Sequence, residues 1–526
     1  MNNISIKEKL LNFYKVSESD YEKLIADFDH TNFAHGNKFE RMEDAVTLVK
    51  RAMDNLENIA IYGDYDADGI MGTSILVKMF KYLHYPVSYY IPSRYLDGYG
   101  LTLKYAQKAV ENNVRLVITV DNGICANEPI KYLKDNGVKV LVLDHHSVPE
   151  ILPNADVIIH PQYSKFSEIA SSGAFTAFMF SYELLGRFDK YLSTLAAISL
   201  ISDMMPLVDY NRNFLRLVFK NYKDGEFPQI DLLKESDPFD ENAIGMKIAP
   251  KINALGRIIE TDEINKIVSY FTEDNKEELL NYLKWINETN EFRKTASKES
   301  TDEIEQMQID DDAIVVISNA KEGLLGLIAN HLCSKHQRPT VVLTLDHSGE
   351  ILKGSCRAPN GFNVVDAFNA MGDLMVTAGG HAMAGGCSIK KENFETFKAK
   401  FREFARTTPL KIEKKEEIDI TLSDITFESY NIIKSFSPFG ENWPAPTFNV
   451  PRIRTSSLTF TKSLEHIMTF IGQGVKLTGF YMSKEQLSQY KFVDLTGKFR
   501  TSLYRGYTSL EFLISSFKEN IEISDT

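Results

Sequence analysis

The stretch IAIYGDYDADG at residues 59–69 is a β-branched, apolar run that ends in three alternating aspartates. The same plan recurs in RLVITVDNG at residues 115–123 and in KVLVLDHH at residues 139–146. Short apolar runs of this kind are typical of buried parallel strands, and an open parallel sheet binds ligands at the carboxyl ends of its strands. The three stretches therefore predict an α/β fold whose polar groups meet at one edge of a sheet.

The groups at these strand ends are those that hold hard metal ions in proteins. They are Asp64, Asp66, Asp68, Asp121, Asp144, His145 and His146. Without partners, such carboxylates would repel one another and shift their own pKa values, and two divalent cations would relieve that repulsion. Carboxylates suit Mg²⁺ or Mn²⁺, and imidazoles move the preference from Ca²⁺ towards Mn²⁺. Aspartate is also common in turns after strands, which explains one such end but poorly explains three.

One alternative for the DYDADG loop is a calcium site, because D-x-D-x-D-G resembles the opening of an EF-hand. An EF-hand loop needs glutamate at its twelfth position, and this chain has Ile75 there. A strand also precedes the loop, and helical spacing follows Gly69. These features favour a metal site at a sheet end.

Composition limits the class of protein. At 526 residues the chain is long enough for about three domains. Its four cysteines form no CxxC pair, which argues against a zinc site and fits a reducing compartment. No signal peptide and no apolar run of roughly 20 residues is apparent, so we expect a cytoplasmic protein outside membranes. The net charge of −13 argues mildly against a nucleic-acid coat protein but not against a nucleic-acid enzyme.

Hydrophobic patterning predicts several domains. Strands and amphipathic helices alternate from about residue 58 to 205, which is typical of a doubly wound parallel sheet. A long charged helix near residues 277–307 is interpreted as a solvated connector to a smaller α/β domain, and the β-rich tail as a small barrel. The predicted ranges are 1–57 (N-terminal helical segment), 58–240 (catalytic domain), 241–308 (connecting helical region), 309–408 (second α/β domain) and 415–526 (barrel).

Two further charged residues stand out in apolar or helical surroundings. Asp203 interrupts the run ISLISDMMPL, where a buried charge must be paired or bound to metal, although it could instead cap a helix. Arg257 follows Gly256, which is predicted to end a helix, in an arrangement suited to phosphate. We expect Asp203 to be a metal ligand.

A second α/β domain offers polar groups of its own. Ser355 and Arg357 lie two residues apart on a predicted strand and so share a face, and the guanidinium suits bidentate phosphate binding. His381 lies in the glycine-rich TAGGHAMAGG, where the backbone can approach a ligand closely. The loops typical of NTP binding and of acyl transfer are not found in the required context.

The ordered set DYDADG, VDNG, LDHH, ISD, INALGR, GSCR and GGHAMAGG resembles the DHH phosphoesterase superfamily and, within it, the RecJ family. The segments IPSRYLDGYGL, SSGAFTAF and FSPFGENWPAPTF also resemble RecJ segments, the last at the entry to an OB-fold. The resemblance implies a DHH domain, a long connecting helix, a DHH-associated domain and a C-terminal OB-fold barrel. It also implies an exonuclease that degrades single-stranded DNA from 5′ to 3′ by two-metal hydrolysis, releasing 5′-mononucleotides in DNA repair and recombination.

The same resemblance implies roles for individual residues. The first metal ion is expected on Asp64, Asp66 and Asp121. The second is expected on Asp68, Asp121, His145 and Asp203. Asp144 would orient ligands, and His146 would contact the scissile phosphate. The residues that would recognise substrate phosphate are Arg257, Ser355 and Arg357, and His381 would face the active site from the second domain.

Two regions leave questions open. Many relatives have an aromatic–His pair where this chain has NAKEGLLGL, so Glu322 stands where histidine is expected. In the tail, Tyr504, Arg505 and Tyr507 could supply the stacking and charge with which OB-folds bind single strands, although aromatic residues there could also fill the barrel core.

Other functions and partners are also compatible with the resemblance. A DHH phosphoesterase acting on short oligonucleotides or cyclic dinucleotides is the alternative, but it does not explain the β-rich tail. A non-enzymatic scaffold would have lost metal ligands, and this chain keeps them. The expected substrate is single-stranded DNA, for a monomer that could work beside a single-strand-binding protein and a helicase.

Overall fold

The computed structural model describes residues 4–26, 39–164, 170–307, 312–410, 416–464, 467–480, 482–504 and 507–520. The chain divides into two compact units. One consists of Met1–Asp29 together with Lys414–Thr526, and the other is His30–Glu413. Two short helices, α1 (Ile6–Tyr14) and α2 (Glu18–Ile25), begin the chain and belong to the first unit.

The second unit contains a five-stranded sheet. Its strands are β1 (Ile59–Tyr62), β2 (Ser88–Tyr90), β3 (Leu116–Val120), β4 (Lys139–Leu143) and β5 (Val157–Ile159). They pair in parallel in the order β2-β1-β3-β4-β5. The helices around them are α3 (Met42–Asp54), α4 (Ala67–Tyr82), α5 (Leu103–Glu111), α6 (Asn127–Asp135), α7 (Gly173–Leu185) and α8 (Lys190–Ser202).

Helices cover both faces of this sheet. Side chains alternate along a strand, so Ala60 and Val117 point to one face, where they pack with α5 and α6. Helices α4 and α7 contact the strands as well, and α4 packs against α7 and α8. The predicted doubly wound parallel sheet is confirmed, and the buried strands explain why the three sequence runs are apolar throughout.

A helical region follows the sheet. Its α-helices are α9 (Asp209–Asn221), α10 (Pro228–Lys234), α11 (Glu241–Ala243), α12 (Ala249–Ile258), α13 (Lys266–Thr272) and α14 (Lys276–Glu305). A π-helical turn, Ile244–Ile248, leads into α12. The expectation of a solvated connector is wrong for one side of α14, because Leu279 and Ile286 are buried and the helix packs against α12 and α13.

The second sheet lies after α14. Its strands are β6 (Ile314–Ile317), β7 (Thr340–Leu345), β8 (Ile351–Arg357), β9 (Met375–His381) and β10 (Ala384–Lys390), in the order β6-β7-β8-β10-β9. Only the β6–β7 pair is parallel. The helices are α15 (Leu325–His336), α16 (Val364–Met371) and α17 (Phe394–Thr407). The glycine-rich segment forms the β9–β10 hairpin, and an added Cβ on Gly380 would lie 2.4 Å from the Ala384 carbonyl oxygen.

The C-terminal part of the first unit is a seven-stranded sheet. Its strands are β11 (Ile418–Asp419), β12 (Phe448–Arg454), β13 (Thr459–Leu464), β14 (Ile467–Gly472), β15 (Val475–Phe480), β16 (Phe492–Tyr504) and β17 (Tyr507–Glu519). The strand order is β11-β12-β16-β17-β15-β14-β13, without a closing pair between β11 and β13 in the described ranges. Two helices, α18 (Phe427–Ser435) and α19 (Lys484–Ser488), complete it.

The N-terminal helices pack against this sheet domain through aromatic rings. Tyr14 stacks on Trp443 with a centroid distance of 4.3 Å and on Phe436 at 5.2 Å. Tyr21 also stacks on Phe436, and the Tyr14 hydroxyl donates to the carbonyl oxygen of Pro444. The predicted helical segment 1–57 is thus shared between the two units, with α3 in the second. Within the described ranges, the structure contains no helix with the length and apolar character needed to cross a membrane.

Candidate active site

The loop after β1 presents the first three aspartates. Asp66 is the N-cap of α4, and its Oδ1 atom accepts hydrogen bonds from the backbone N–H groups of Asp68 (3.0 Å) and Gly69 (3.1 Å). An added Cβ on Gly69 would lie 2.5 Å from the backbone nitrogen of Asp64, so only glycine lets the helix begin so close to the strand. The alternating spacing of the aspartates therefore reflects a strand that turns directly into a helix.

Asp68 is held by the start of another helix. Its Oδ2 and Oδ1 atoms accept hydrogen bonds of 2.7 Å from the N–H groups of Gly173 and Ala174, the first residues of α7. The hydroxyl of Ser199 on α8 also donates to Oδ1 at 2.5 Å. The positive end of the α7 dipole and these donors stabilise the buried carboxylate. The sequence reasoning missed Ser199, because it lies far along the chain in an apolar helix.

His145 lies at the centre of the acidic cluster. Its Nε2 atom is 3.0 Å from Asp121 Oδ1, 3.4 Å from Asp68 Oδ2 and 3.5 Å from Asp203 Oδ2. Asp203 follows the last residue of α8 as its C-cap, and 28% of its side chain is exposed. The structure thus brings Asp203 to the strand ends, as the sequence predicts.

Both carboxylate oxygens of Asp144 have hydrogen-bond partners within the protein. Oδ2 accepts from the N–H of Ile124 at 2.8 Å, and Oδ1 accepts from the N–H of His145 at 2.7 Å and lies 2.9 Å from Nδ1 of His146. Burial raises the pKa of Asp144, but the hydrogen bond and charge of His146 outweigh it and leave the pKa below its usual value. Asp144 thus holds the backbone N–H of His145 and the ring of His146.

Three sets of side chains have ligand atoms close enough together to hold a metal ion. They are Asp64, Asp66 and Asp121; Asp68, His145 and Asp203; and Asp121, His145 and His146. Asp64 Oδ1 and Asp203 Oδ2 are buried and have no hydrogen-bond partner. Buried oxygens without donors are costly unless a cation satisfies them. The donor set of carboxylates and imidazole thus fits two divalent cations.

The pKa values show how strongly the metal-free cluster resists full ionisation. Burial, with Asp66 adding negative charge, raises the pKa of Asp64 well above its usual value. Burial and then Asp68 do the same for Asp121. Burial, followed by the charges of Asp68 and Asp66, raises the pKa of Asp203 to about 8. Because the cause is the same throughout, bound cations would return these groups to their ionised form.

Next to the cluster lies a cationic pocket of about 510 Å³. The basic and hydroxyl side chains that line it are Arg94, Arg257, Lys353, Ser355, Arg357, Thr377 and Ser388. Nη1 of Arg357 donates to Ser355 Oγ at 2.9 Å, so these two predicted residues are in contact. Burial, then the charges of Arg94 and Arg357, lowers the pKa of Arg257 to about 10, which indicates a site that gains from an anion.

One prediction about this pocket is wrong. Gly256 does not end a helix, since α12 continues through Gly256 and Arg257 to Ile258. An added Cβ on Gly256 would lie 2.1 Å from the carbonyl oxygen of Tyr65. Glycine is needed there for close backbone packing, which sequence patterning cannot distinguish from a helix end.

Sequence reasoning also missed two cations of the pocket. The Arg94 guanidinium lies 4.1 Å from the ring centroid of Tyr65, which sits between Asp64 and Asp66. The cationic pocket and the acidic cluster are therefore adjacent. Lys353 pairs with Glu322 at 3.0 Å, which gives the unexplained glutamate a contact at the rim of the pocket.

His381 and His146 line a second cavity, of about 320 Å³, within the same unit. Tyr99 lines it too, and its hydroxyl lies 2.8 Å from Nε2 of His146. Burial lowers the pKa of His146, but the hydrogen bond and charge of Asp144 raise it further, to about 9. The ring of His146 thus faces an open space beside the cluster.

The predicted residues of the tail lie in the first unit. Tyr507 is 81% exposed and pairs with Tyr504 across the β16–β17 hairpin. Arg505 and the side chain of Tyr504 lie outside the described residues. By strand alternation Tyr507 shares a face with Glu511, whose carboxylate pairs with Lys476 (2.9 Å) and with Arg500. That face of the sheet therefore carries both positive charge and an exposed ring.

Comparisons with known proteins agree with this architecture. The DHH family, N-terminal domain, matches residues 58–201, the DHHA1 domain matches residues 310–407, and the RecJ OB domain matches residues 417–516. These matches confirm the predicted α/β domains and the C-terminal OB-fold. They define the chain as a DHH-type protein with two appended domains.

Individual relatives narrow the class. The single-stranded-DNA-specific exonuclease RecJ of Bacillus subtilis is 33% identical over 422 residues, which cover 77% of this chain and 53% of that protein. RecJ of Escherichia coli is 26% identical over 521 residues and 90% of each chain. The crystal structure of Thermus thermophilus RecJ in complex with Mn²⁺ superimposes with a TM-score of 0.84 over 98% of this chain and 76% of that chain, at 23% identity. This chain spans about half the length of the Bacillus relative. It belongs to the RecJ family.

Proposed function

We propose that the protein is a metal-dependent exonuclease that degrades single-stranded DNA from its 5′ end and releases 5′-mononucleotides. The observation that carries this proposal is the adjacency of the acidic cluster and the cationic pocket, which Arg94 and Tyr65 join at 4.1 Å. A terminal phosphate in the pocket would place the next phosphodiester beside the cluster. The names of the curated relatives support the same activity.

The chain's own residues supply the binding of the metal ions. Asp64, Asp66 and Asp121 would hold one cation, and Asp68, His145 and Asp203 the other. Bound Mn²⁺ or Mg²⁺ would polarise the phosphodiester and lower the pKa of a water nucleophile. Asp121 and His145 each contribute to two of the three ligand sets.

His146 is suited to stabilise charge on the phosphate. Asp144 holds its Nδ1 atom at 2.9 Å and thereby fixes the direction of the ring. Nε2 points to the Tyr99 hydroxyl, which a phosphate oxygen can replace as hydrogen-bond partner. Such a charge-assisted hydrogen bond strengthens as negative charge develops in the transition state.

Polarity would come from the cationic pocket. Arg257, Ser355 and Arg357 would bind the 5′-phosphate, and the end of the strand would then set the position of cleavage. Cleavage one nucleotide along would release a 5′-mononucleotide and leave a new 5′-phosphate on the remaining strand. Each product strand is therefore a substrate for the next cycle.

The OB domain would hold the rest of the strand. Its cationic face is the side of the sheet with Lys476 and Arg500, which both pair with Glu511, and with the exposed Tyr507. Phosphate contacts and stacking of this kind bind single strands with little sequence preference. Paired bases cannot stack on a protein ring, so duplex ends should be poor substrates.

The cellular setting follows from the same activity. We place the protein in the cytoplasm, acting as a monomer in DNA repair and recombination, where a helicase and a single-strand-binding protein would supply and cover its substrate. The four free cysteines fit a reducing compartment. Light scattering of the purified protein tests the monomer, and co-purification tests the partners.

Digestion of 5′- and 3′-labelled DNA tests the main proposal. With Mn²⁺ or Mg²⁺ we expect a 5′-labelled single strand to release its label first as a mononucleotide, while a duplex remains intact. Release from the 3′ end, or activity in excess chelator, would refute the proposal. Cleavage restricted to very short oligonucleotides or cyclic dinucleotides would instead favour the small-substrate phosphoesterase.

A further inference from the structure

Helix α12 contacts the metal-binding loop as well as the cationic pocket. The Oδ1 atom of Asn253 accepts a hydrogen bond of 2.8 Å from the backbone N–H of Ala67. Ala67 is the first residue of α4 and lies between Asp66 and Asp68. Asn253 thus touches the loop between its second and third carboxylates.

This hydrogen bond completes the N-terminal turn of α4. The first N–H groups of a helix have no acceptor within the helix itself. The single oxygen Oδ1 of Asp66 accepts from Asp68 and Gly69, and Asn253 accepts from Ala67. Because Asn253 serves the third donor, the second oxygen of Asp66 is not needed for capping and can serve as a metal ligand.

Close backbone packing joins the same helix to the loop. Gly256 lies so near Tyr65 that a Cβ would come within 2.1 Å of the Tyr65 carbonyl oxygen. Arg94 then spans the contact, since its Nε atom donates to the Gly256 carbonyl oxygen at 3.2 Å and its guanidinium covers the Tyr65 ring. No flexible side chain lies between Gly256 and Tyr65 to absorb a displacement of α12.

We propose that Asn253 is a positioning residue that holds the Asp64–Asp68 loop in its metal-binding geometry. Asn253 and Arg257 are four residues apart, so they share a helix face about 6 Å apart along the axis. A phosphate at Arg257 and metal ions at the loop therefore act on the same rigid helix.

The proposal rests on the proposed function, because it assumes metal ions in the acidic cluster, but its first consequence concerns metal binding alone. Calorimetric titration of the full chain with Mn²⁺, without DNA, compares the wild type with Asn253→Ala. Loss of an outer-sphere partner typically lowers metal affinity about 10- to 100-fold, and we expect a loss in this range. The kcat should fall as well, while KM for a 5′-phosphorylated oligonucleotide changes by less than about twofold.

Asn275→Ala is the matched control. Asn275 accepts the N–H groups of Glu277 and Glu278 at the start of α14, so its removal also deletes a helix cap. Both variants should lower the thermal midpoint, but only Asn253→Ala should weaken Mn²⁺ binding. Equal thermal losses with wild-type Mn²⁺ affinity in both variants would reduce Asn253 to a helix cap and overturn the proposal.

Asn253→Asp provides a second test, because aspartate keeps the acceptor oxygen and adds charge favourable to cations. We expect Mn²⁺ affinity at or above that of the wild type, and a clear loss of affinity would overturn the proposal. Failure of the proposed function has a different signature. The wild type would then bind Mn²⁺, with Asn253→Ala weaker, while neither protein cleaves DNA.

Discussion

The Nε2 atom of His145 lies 3.0 Å from the Oδ1 atom of Asp121, whose backbone has a left-handed φ of 63°. Aspartate and asparagine tolerate this conformation better than most residues with a side chain. An added Cβ on the facing Gly173 would lie 2.7 Å from the Asp121 Cα atom. A tightly packed, left-handed turn thus sets the carboxylate that two of the three ligand sets share.

Asp121→Asn should abolish most activity without unfolding the protein. Asparagine keeps the shape of the side chain and accepts the left-handed backbone, but it removes the charge. We expect the kcat on single-stranded DNA to fall about 100-fold or more, as a ligand to the metal ions is weakened. The thermal midpoint of the metal-free protein should rise, because burial and Asp68 disfavour the ionised form of Asp121.

Steady-state kinetics and thermal unfolding measure both effects. Asp44→Asn is the control, since Asp44 is an exposed residue of α3 that pairs with Arg41. It should leave turnover unchanged. Near-normal activity of Asp121→Asn would contradict a central role for Asp121.

Metal binding should stabilise the protein more strongly as the pH rises. Asp203 has a pKa of about 8 in the folded, metal-free state, against about 3.9 when unfolded. Its burial therefore costs stability progressively from about pH 4 to 8, and the cost is complete above that range. Protons also compete with cations for the same oxygens.

Thermal unfolding with and without excess Mn²⁺ checks this prediction. The rise in thermal midpoint should be larger near pH 8.5 than near pH 6, and chelator should reverse it. Asp203→Asn should flatten the pH dependence of the metal-free protein. An equal rise at both pH values would contradict this account of the cluster.

Arg357→Ala should weaken the preference for a 5′-phosphate. Charge-assisted hydrogen bonds are worth about 1.5–3 kcal/mol, so the ratio of kcat/KM for 5′-phosphorylated over 5′-hydroxyl strands should narrow by roughly tenfold or more. Arg115→Ala, at an exposed residue directly before β3, serves as the matched loss of an arginine. A ratio that stays the same in Arg357→Ala would make Arg357 a structural residue.

Removing the first unit should separate catalysis from strand binding. A protein of residues 30–413 keeps the acidic cluster and the cationic pocket. It should hydrolyse very short oligonucleotides but lose affinity and processivity on long strands, with a weaker dependence on salt. Nuclease assays over strand length and salt concentration measure the difference from the full chain.

The N-terminal cut matters in this experiment. A protein of residues 1–413 would keep Tyr14 and Tyr21 but lose Phe436 and Trp443, on which these rings stack. Comparing it with residues 30–413 distinguishes exposed helices from lost strand binding. If the folded 30–413 protein degrades long strands as well as the full chain does, the OB domain does not bind the substrate strand.

Local patterns were sufficient to predict the acidic cluster. The residues from Asp64 to His146 follow strands, and parallel topology alone brings strand ends together, while Asp203 was visible as a charge in an apolar run. Arg94 and Lys353 could not be predicted from local patterns, because the cationic pocket combines long side chains from distant segments. The helix end predicted at Gly256 is wrong because glycine is needed there for the close approach of Tyr65, which is a tertiary contact.

Strand registers and long-range contacts could not be predicted from the sequence either. The cationic face of the OB domain depends on which residues of β15, β16 and β17 stand opposite one another, and a shift by one residue would reverse the face. The packing of α1 on Trp443 joins the two ends of the chain. Neither relationship leaves a periodic signal in one sequence.

The first unit is a discontinuous domain, and this has a consequence for folding during synthesis. Residues 1–29 leave the ribosome before His30–Glu413, but their partners in 414–526 leave it after that unit. At typical rates of about 5–20 residues per second, the two parts are separated by roughly 20–80 s. During that time the whole of His30–Glu413 can fold, while the rings of Tyr14 and Tyr21 still lack Phe436 and Trp443, on which they stack. The unit with the acidic cluster is therefore complete before the discontinuous unit can assemble.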